Sequence, residues 1–155
     1  MTRSEVLEAV RGFFSILERS MSPEDREAAL RAALDRLALA YHFAAAPSDD
    51  GDYPDPPAAE YGVLRARIGP LFPELGPYNA AREIAERVGD SEVVVGDAID
   101  DIVDIARELH EVVQRWETTS EADALWHFRF GFTSHWGKHL RSLQLYLHER
   151  AHAYS

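Results

Sequence analysis

Cysteine is absent from this chain of 155 residues, which excludes disulfides, thiolate catalysis and cysteine-ligated zinc. Basic residues are scarce: 16 Lys and Arg stand against 27 Asp and Glu, a formal net charge of −11. Such a surface repels polyphosphate backbones, whose binding depends on releasing counterions to a basic face, so neither nucleic acid nor an anionic membrane is an expected partner. No run approaches the roughly 18 apolar residues of a membrane span. Met1-Thr2-Arg3-Ser4-Glu5 leads into a charge-bearing amphipathic segment without the uninterrupted apolar stretch of a signal peptide. The expected location is therefore the cytoplasm. A nucleophile-base triad and a phosphate-cradling glycine loop are also missing.

What is present is helical punctuation. With 46% hydrophobic residues the chain suits one domain, large enough to bury about two-thirds of the surface its unfolded form would expose. Val6, Val10, Phe13 and Leu17 repeat at helical spacing and predict a first helix ending before Ser20. Ser22-Pro23-Glu24-Asp25 is a strong start signal for a second, with an N-cap oxygen, proline at the first helical position and acids at the positive helix end. That helix should run to about Phe43 and pair antiparallel with the first. A proline-rich loop covers about residues 44–58. A short helix is expected over Ala58 to Ile68, and Asn79 is read as the cap of another that stops near Val88-Gly89. Glu92-Val93-Val94-Val95 is β-prone but has no evident partner, so it is read as an extended entry to the next helix.

The chemistry-bearing residues lie between positions 97 and 148. At about 100° per residue, Asp97, Asp100, Asp101, Asp104, Glu108 and Glu111 share one helix face, while Ile99, Ile102, Val103, Ala106, Leu109 and Val113 lie opposite. Asp97 and Asp100 suit a helix N-terminus. Asp101 and Asp104 add like charge that the helix itself does not explain. A last helix is expected to run unbroken from Ser120 to about Ala151. Projected, its face carries Leu125, Phe128, Phe132, Trp136, His139, Leu140, Leu143 and Leu147, with Arg129 within it and His135 at its margin; Trp126 and Phe130 form a second apolar patch. A helix apolar on two sides belongs inside a bundle. Arg129 then needs a carboxylate, and pairing with Asp101 or Asp104 is expected.

Several uses of these residues stay open. His135 and His139 are four apart on one helix face, and with Asp101 and Asp104 they could hold zinc, manganese or iron and activate water. They could equally satisfy one another in a polar seam. Glu83-x-x-Glu86 followed by Asp101-x-x-Asp104 resembles the paired acidic motifs that hold magnesium in all-α nucleotide pyrophosphatases.

One combination resembles a known family. Asp100, Asp101, Asp104, Ile105, Glu108 and Leu109 are followed by Ala124, Leu125, Trp126, Phe128, Arg129 and Phe130, then by His135, Trp136, Gly137 and Leu143. Over about residues 95 to 148 this order is similar to the bacterial proteins grouped as domain of unknown function family 5063. The resemblance implies an all-helical cytoplasmic domain and no particular activity.

The resulting expectation is an all-α single domain, a bundle of four main helices with short helices in its middle segment. The leading function is a non-catalytic binding or scaffold role without a cofactor. Its binding residues would be Asp97, Asp100, Asp101, Asp104, Glu108, Arg129 and Trp136, and its partner a basic protein or a second copy of the chain. The alternatives are a hydrolase using a divalent metal such as Zn, Mn or Mg at Asp101, Asp104, His135 and His139, and a magnesium nucleotide pyrophosphatase.

Overall fold

In the computed structural model, which describes residues 1–153, helix α1 (Arg3–Glu18) starts from a reciprocal cap. Thr2 accepts from the Glu5 amide, and the Glu5 carboxylate accepts from the Thr2 amide. Helix α2 (Pro23–Tyr41) is capped by Ser22, whose hydroxyl accepts from Asp25 N at 3.1 Å. Arg26, buried on α2, donates to the carbonyls of Ile16 and Met21. A cation thereby closes the carbonyl end of α1 and stitches the two helices into a hairpin.

The proline-rich loop is irregular, as expected, and it is tied down along its length. Asp49 accepts from Ser120 and Tyr53, Asp55 pairs with Arg115 at 2.7 Å, and Arg107 Nε donates to Ala59 O at 3.1 Å. Helix α3 (Tyr61–Ile68) follows and tightens into a short turn over Gly69–Leu71.

The next segment departs from the expectation. Strand β1 (Pro77–Ala81) pairs antiparallel with β2 (Val93–Asp97), in a register that sets Tyr78 opposite Gly96 and Ala80 opposite Val94. Asn79 therefore sits in a strand and caps no helix, and the valine run does have a partner. Ile84 and Val88 remain almost fully exposed in the connecting loop, so a helix over 80–88 has no core to cover with them. Tertiary anchoring of Tyr78 outweighs the local helix propensity of the alanines, arginines and glutamates. Arg87 and Gly89 both adopt positive φ where the loop reverses.

Helix α4 (Ala98–Thr118) begins at Asp97, whose side chain accepts from Ile99 N at 2.9 Å. It is the central helix, packed against α1, α3 and the C-terminal rod. That rod comprises α5 (Glu121–Gly131), a π turn over Phe132–Trp136, and α6 (Gly137–His152). The expected unbroken helix is thus interrupted in pitch without a break in the chain's course. With the rod as one unit, the four main helices are α1, α2, α4 and α5–α6. Phe13, Leu30, Leu34, Leu37, Ile102, Ile105, Leu109, Leu125, Phe128, Trp136 and Leu140 fill the space among them. Trp126 and Phe130 are not inside the bundle: they stack at 4.8 Å and are 55% and 56% exposed, because α5 is covered on one side only. No described helix is long and apolar enough to cross a membrane.

The π turn has a specific requirement at its end. A Cβ at position 137 would collide with the Phe132 carbonyl oxygen, a backbone atom that cannot step aside. Gly137→Ala should destabilise the fold by about 1–3 kcal/mol. Gly12→Ala, on open helix surface, should stabilise it by roughly 0.5–1 kcal/mol. Urea midpoints measure both, and equal effects would mean that the π turn relaxes freely.

Candidate functional site

The acidic face of α4 is turned into the molecule, and each carboxylate meets a partner from another part of the chain. Nearest the helix start, Arg65 of α3 binds Asp97 at 2.7 Å. Burial opposes ionisation of Asp97, but Arg65 and the Ile99 amide hold its pKa below the usual carboxylate range. Tyr61 donates to Asp100, and Arg65 donates to the Tyr61 oxygen at 3.1 Å. Burial and the Asp100 carboxylate both push the Tyr61 phenol upward.

The middle of the face is the most enclosed. Asp101 is only 4% exposed. One of its oxygens accepts from the Tyr78 hydroxyl and the other lies 2.7 Å from His139 Nδ1. His139 Nε2 lies 3.4 Å from Asp104. The Asp101 bond raises the His139 pKa against the opposing effect of burial, and the charges of Asp101, Asp104 and Asp100 add to it. Burial and the charge of Asp100 raise Asp104, while His139 and His135 oppose them. One turn along, His135 Nδ1 is 2.8 Å from Glu108, and the His135 and His139 rings meet edge to face at 4.8 Å. Asp104, His135 and His139 can each offer one ligand atom such that all lie within 4.8 Å of one another; Asp100, Asp101 and His139 form a second such group. Asp104 and His135 of the first group border a cleft of about 350 Å³ between α4 and the Asp55–Ala59 segment, lined also by Arg107, Glu108, His110 and Glu111.

Farther along α4, buried Arg115 is gripped by Glu111, Asp123 and Asp55 at 2.9, 3.1 and 2.7 Å. His127 lies beside it, and burial together with the Arg115 charge lowers the histidine pKa.

The sequence expectation is met in part. Asp101, Asp104, His135 and His139 are brought together, and Asp97, Asp100 and Glu108 share their face. Arg129 is not part of this group: it is exposed on α5 and lies over the Tyr41 ring at 5.8 Å, so its expected pairing with Asp101 or Asp104 is wrong. Trp136 is fully buried, edge-on to Phe128 and Phe132, behind the seam. Glu83 and Glu86 lie in the hairpin loop, the former paired with Arg87, and not on a helix beside α4. Tyr61, Arg65 and Tyr78 were not anticipated. Tyr61 and Arg65 stand four apart on a recognisable helix, which was a usable signal; Tyr78 depends on a strand pairing that local pattern did not reveal.

Fold and site together define a small helical bundle with a partly buried carboxylate–imidazole seam, enclosed at Asp101 and open at His135. The chain belongs to the family described as a domain of unknown function (DUF5063), which it matches over residues 3–153, nearly its whole length. The chain is also similar to the crystal structure of protein BF1032 from Bacteroides fragilis, with a TM-score of 0.75 and 19% identity, covering 97% of this chain and 92% of that one. This is a likeness of fold. No curated protein matches the chain.

A raised folded-state pKa contributes stability that is complete below the unfolded value and is lost as pH rises through the folded one. For His139, whose ordinary value is 6.5, His139→Gln in chelator-treated protein should therefore cost more stability at about pH 6 than at about pH 9. Equal losses in urea at both pH values would show that Asp101 holds no imidazolium.

Proposed function

We propose that the protein binds a divalent transition metal through Asp104, His135 and His139 and is a metal-dependent hydrolase acting in the adjoining cleft. The observation that carries this reading is the state of the two imidazoles. Their Nδ1 atoms already face carboxylates, Asp101 at 2.7 Å and Glu108 at 2.8 Å, so a neutral ring that donates from Nδ1 keeps its Nε2 lone pair for a metal. A carboxylate behind a ligating histidine fixes its tautomer and orientation and makes the other nitrogen more basic. Ligand atoms about 2.1 Å from a tetrahedral metal stand about 3.4 Å apart, so a set within 4.8 Å needs only side-chain adjustment to close. Two imidazoles and one carboxylate suit zinc, manganese or iron better than magnesium, which prefers oxygen ligands. Three protein ligands leave a position for water, and water so held is a nucleophile near neutral pH.

A second reading, the non-catalytic binding module, is supported by the exposed Trp126–Phe130 stack beside a groove lined by Ala44, Ala46, Arg129 and Thr133. The acidic face of α4 has less to offer a basic partner, since its carboxylates bind Arg65, Tyr61, Tyr78, His139, His135 and Arg115.

Protein purified without a histidine tag should retain about one equivalent of metal by elemental analysis. Zinc or manganese added to chelated protein should raise the melting temperature by several degrees, since ligand at 100 times its Kd stabilises by about 2.7 kcal/mol. Asp104→Ala and His139→Ala should abolish that rise. An unmoved wild-type melting temperature with no retained metal would sink the metal reading.

A further inference from the structure

We propose that Tyr78, seated by Gly96, is a positioning residue for the metal site: it fixes Asp101 so that Asp101 accepts the hydrogen bond of His139 Nδ1–H and His139 presents Nε2 to the metal. This inference rests on the metal reading above. It concerns an element, the β-hairpin, that neither the metal ligands nor the helical core requires.

The hairpin adds little to the core. Val93, Val95, Ile84 and Val88 are all exposed, and an isolated two-stranded hairpin is marginal in water. Its inward-facing contribution is Tyr78. Gly96 stands directly across from Tyr78 in the ladder, and a Cβ there would lie 2.5 Å from the tyrosine Cζ. The ring therefore lies across the β2 backbone, in space that any side chain at position 96 would occupy. Its outer face stacks on Tyr146 of α6 at 4.9 Å and 22°, and the Tyr146 hydroxyl accepts from Gly76 N at 3.2 Å just before the strand. Backbone on one side and a second ring on the other aim the phenol at Asp101, with Ser142 as a further hydrogen-bond partner of its oxygen.

The hydrogen-bond arithmetic then determines the tautomer. Burial and Asp101 raise the Tyr78 phenol well above its ordinary value, so it is a donor to Asp101 at neutral pH. With one carboxylate oxygen held by Tyr78 and the other facing His139 Nδ1, Asp101 cannot rotate without losing a bond. A neutral imidazole carries a single N–H. Asp101 draws that N–H to Nδ1, and Nε2 is left unprotonated on the side of Asp104. Without the phenol, Asp101 is free to turn, and the tautomer is no longer imposed.

The test compares wild type with Tyr78→Phe and Gly96→Ala in two measurements: nitrogen NMR of the His139 ring in chelated protein above its titration, and zinc titration. Wild type should show the Nδ1–H tautomer. Tyr78→Phe should show a mixture and bind zinc about tenfold more weakly, the size expected when a group behind a ligand is removed. Gly96→Ala should reproduce both effects through displacement of the Tyr78 ring. Tyr146→Phe keeps the stacked ring and loses only the Gly76 bond, so it should loosen the hairpin without changing the tautomer. An unchanged tautomer in folded Tyr78→Phe would overturn the proposal, as would an altered tautomer with undiminished zinc affinity. If wild type takes up no zinc, the metal reading falls with the ligand-presenting half of this proposal, while the tautomer comparison still decides whether Tyr78 fixes Asp101 and His139. Should Gly96→Ala fail to fold, Tyr78→Phe, which removes one oxygen atom, carries the decision.

Discussion

The burial of Asp101 is the constraint on which the rest of the structure turns. A carboxylate taken out of water without partners costs several kcal/mol, and this one sits between turns of α4 that bury Ile99, Ile102 and Ile105. It has two oxygens to satisfy. His139 supplies one partner from α6 and Tyr78 supplies the other from β1. Elements 38 and 23 residues away in sequence must therefore arrive at one point of α4. The hairpin makes the second arrival possible. The apolar core holds the helices together, and Asp101 selects which face of α6 and which end of the hairpin they bring.

The π turn is how α6 presents that face. An added residue in a helix rotates everything after it by about 100°. Along α5 the buried positions are Ala124, Leu125, Phe128 and Gly131; along α6 they are Gly137, Leu140, Leu143 and Leu147. A constant helical pitch puts the centres of these two sets about 100° apart, so one regular helix could not lay both against α4. The extra residue in Phe132–Trp136 removes the discrepancy, and the rod stays in contact with α4 on both sides of the turn. Arg115 plays a matching part at the other end of α4. Its buried guanidinium joins Asp55 of the proline-rich segment to Asp123 of α5, and removing its carboxylates would leave a buried charge unpaired.

These two features also explain what the sequence did and did not disclose. Caps at Ser22, Asp97 and Ser120, and the amphipathic stripes of α1, α2 and α4, are local physics and were legible. The meeting of Asp101, Asp104, His135 and His139 was legible as well, because both helices carry their polar residues at helical spacing. Arg129 was misplaced for a geometric reason: a single pitch carried through the π turn puts it in phase with Leu140, Leu143 and Leu147, whereas α5 packs on a face about 100° away. Trp126 and Phe130 were misread because an apolar surface patch looks the same in sequence whether or not anything covers it. The hairpin was missed because the pairing of Pro77–Ala81 with Val93–Asp97 is held by nonlocal contacts of Tyr78, and residues 80–87 have the composition of a helix.

The charge balance of the seam gives a final reason to expect a cation there. Asp97 is answered by Arg65, and Glu111 by Arg115. Asp100, Asp101, Asp104 and Glu108 face His135 and His139 as potential cations, and Arg107 adds a more distant positive charge that acts on Asp104; the nearby phenols of Tyr61 and Tyr78 donate hydrogen bonds without carrying charge. With neutral imidazoles, four carboxylates stand against the one charge of Arg107, at reduced dielectric, where like charges repel more strongly than in water. Protonating His139 relieves part of the excess, and its raised pKa expresses that demand. A divalent ion brings twice the charge of one proton and can contact Asp104, His135 and His139 together, whereas a proton on Nε2 reaches Asp104 alone. On the proposed metal reading, proton and metal would compete for the same nitrogen, so acidification should expel a bound metal before it unfolds the protein.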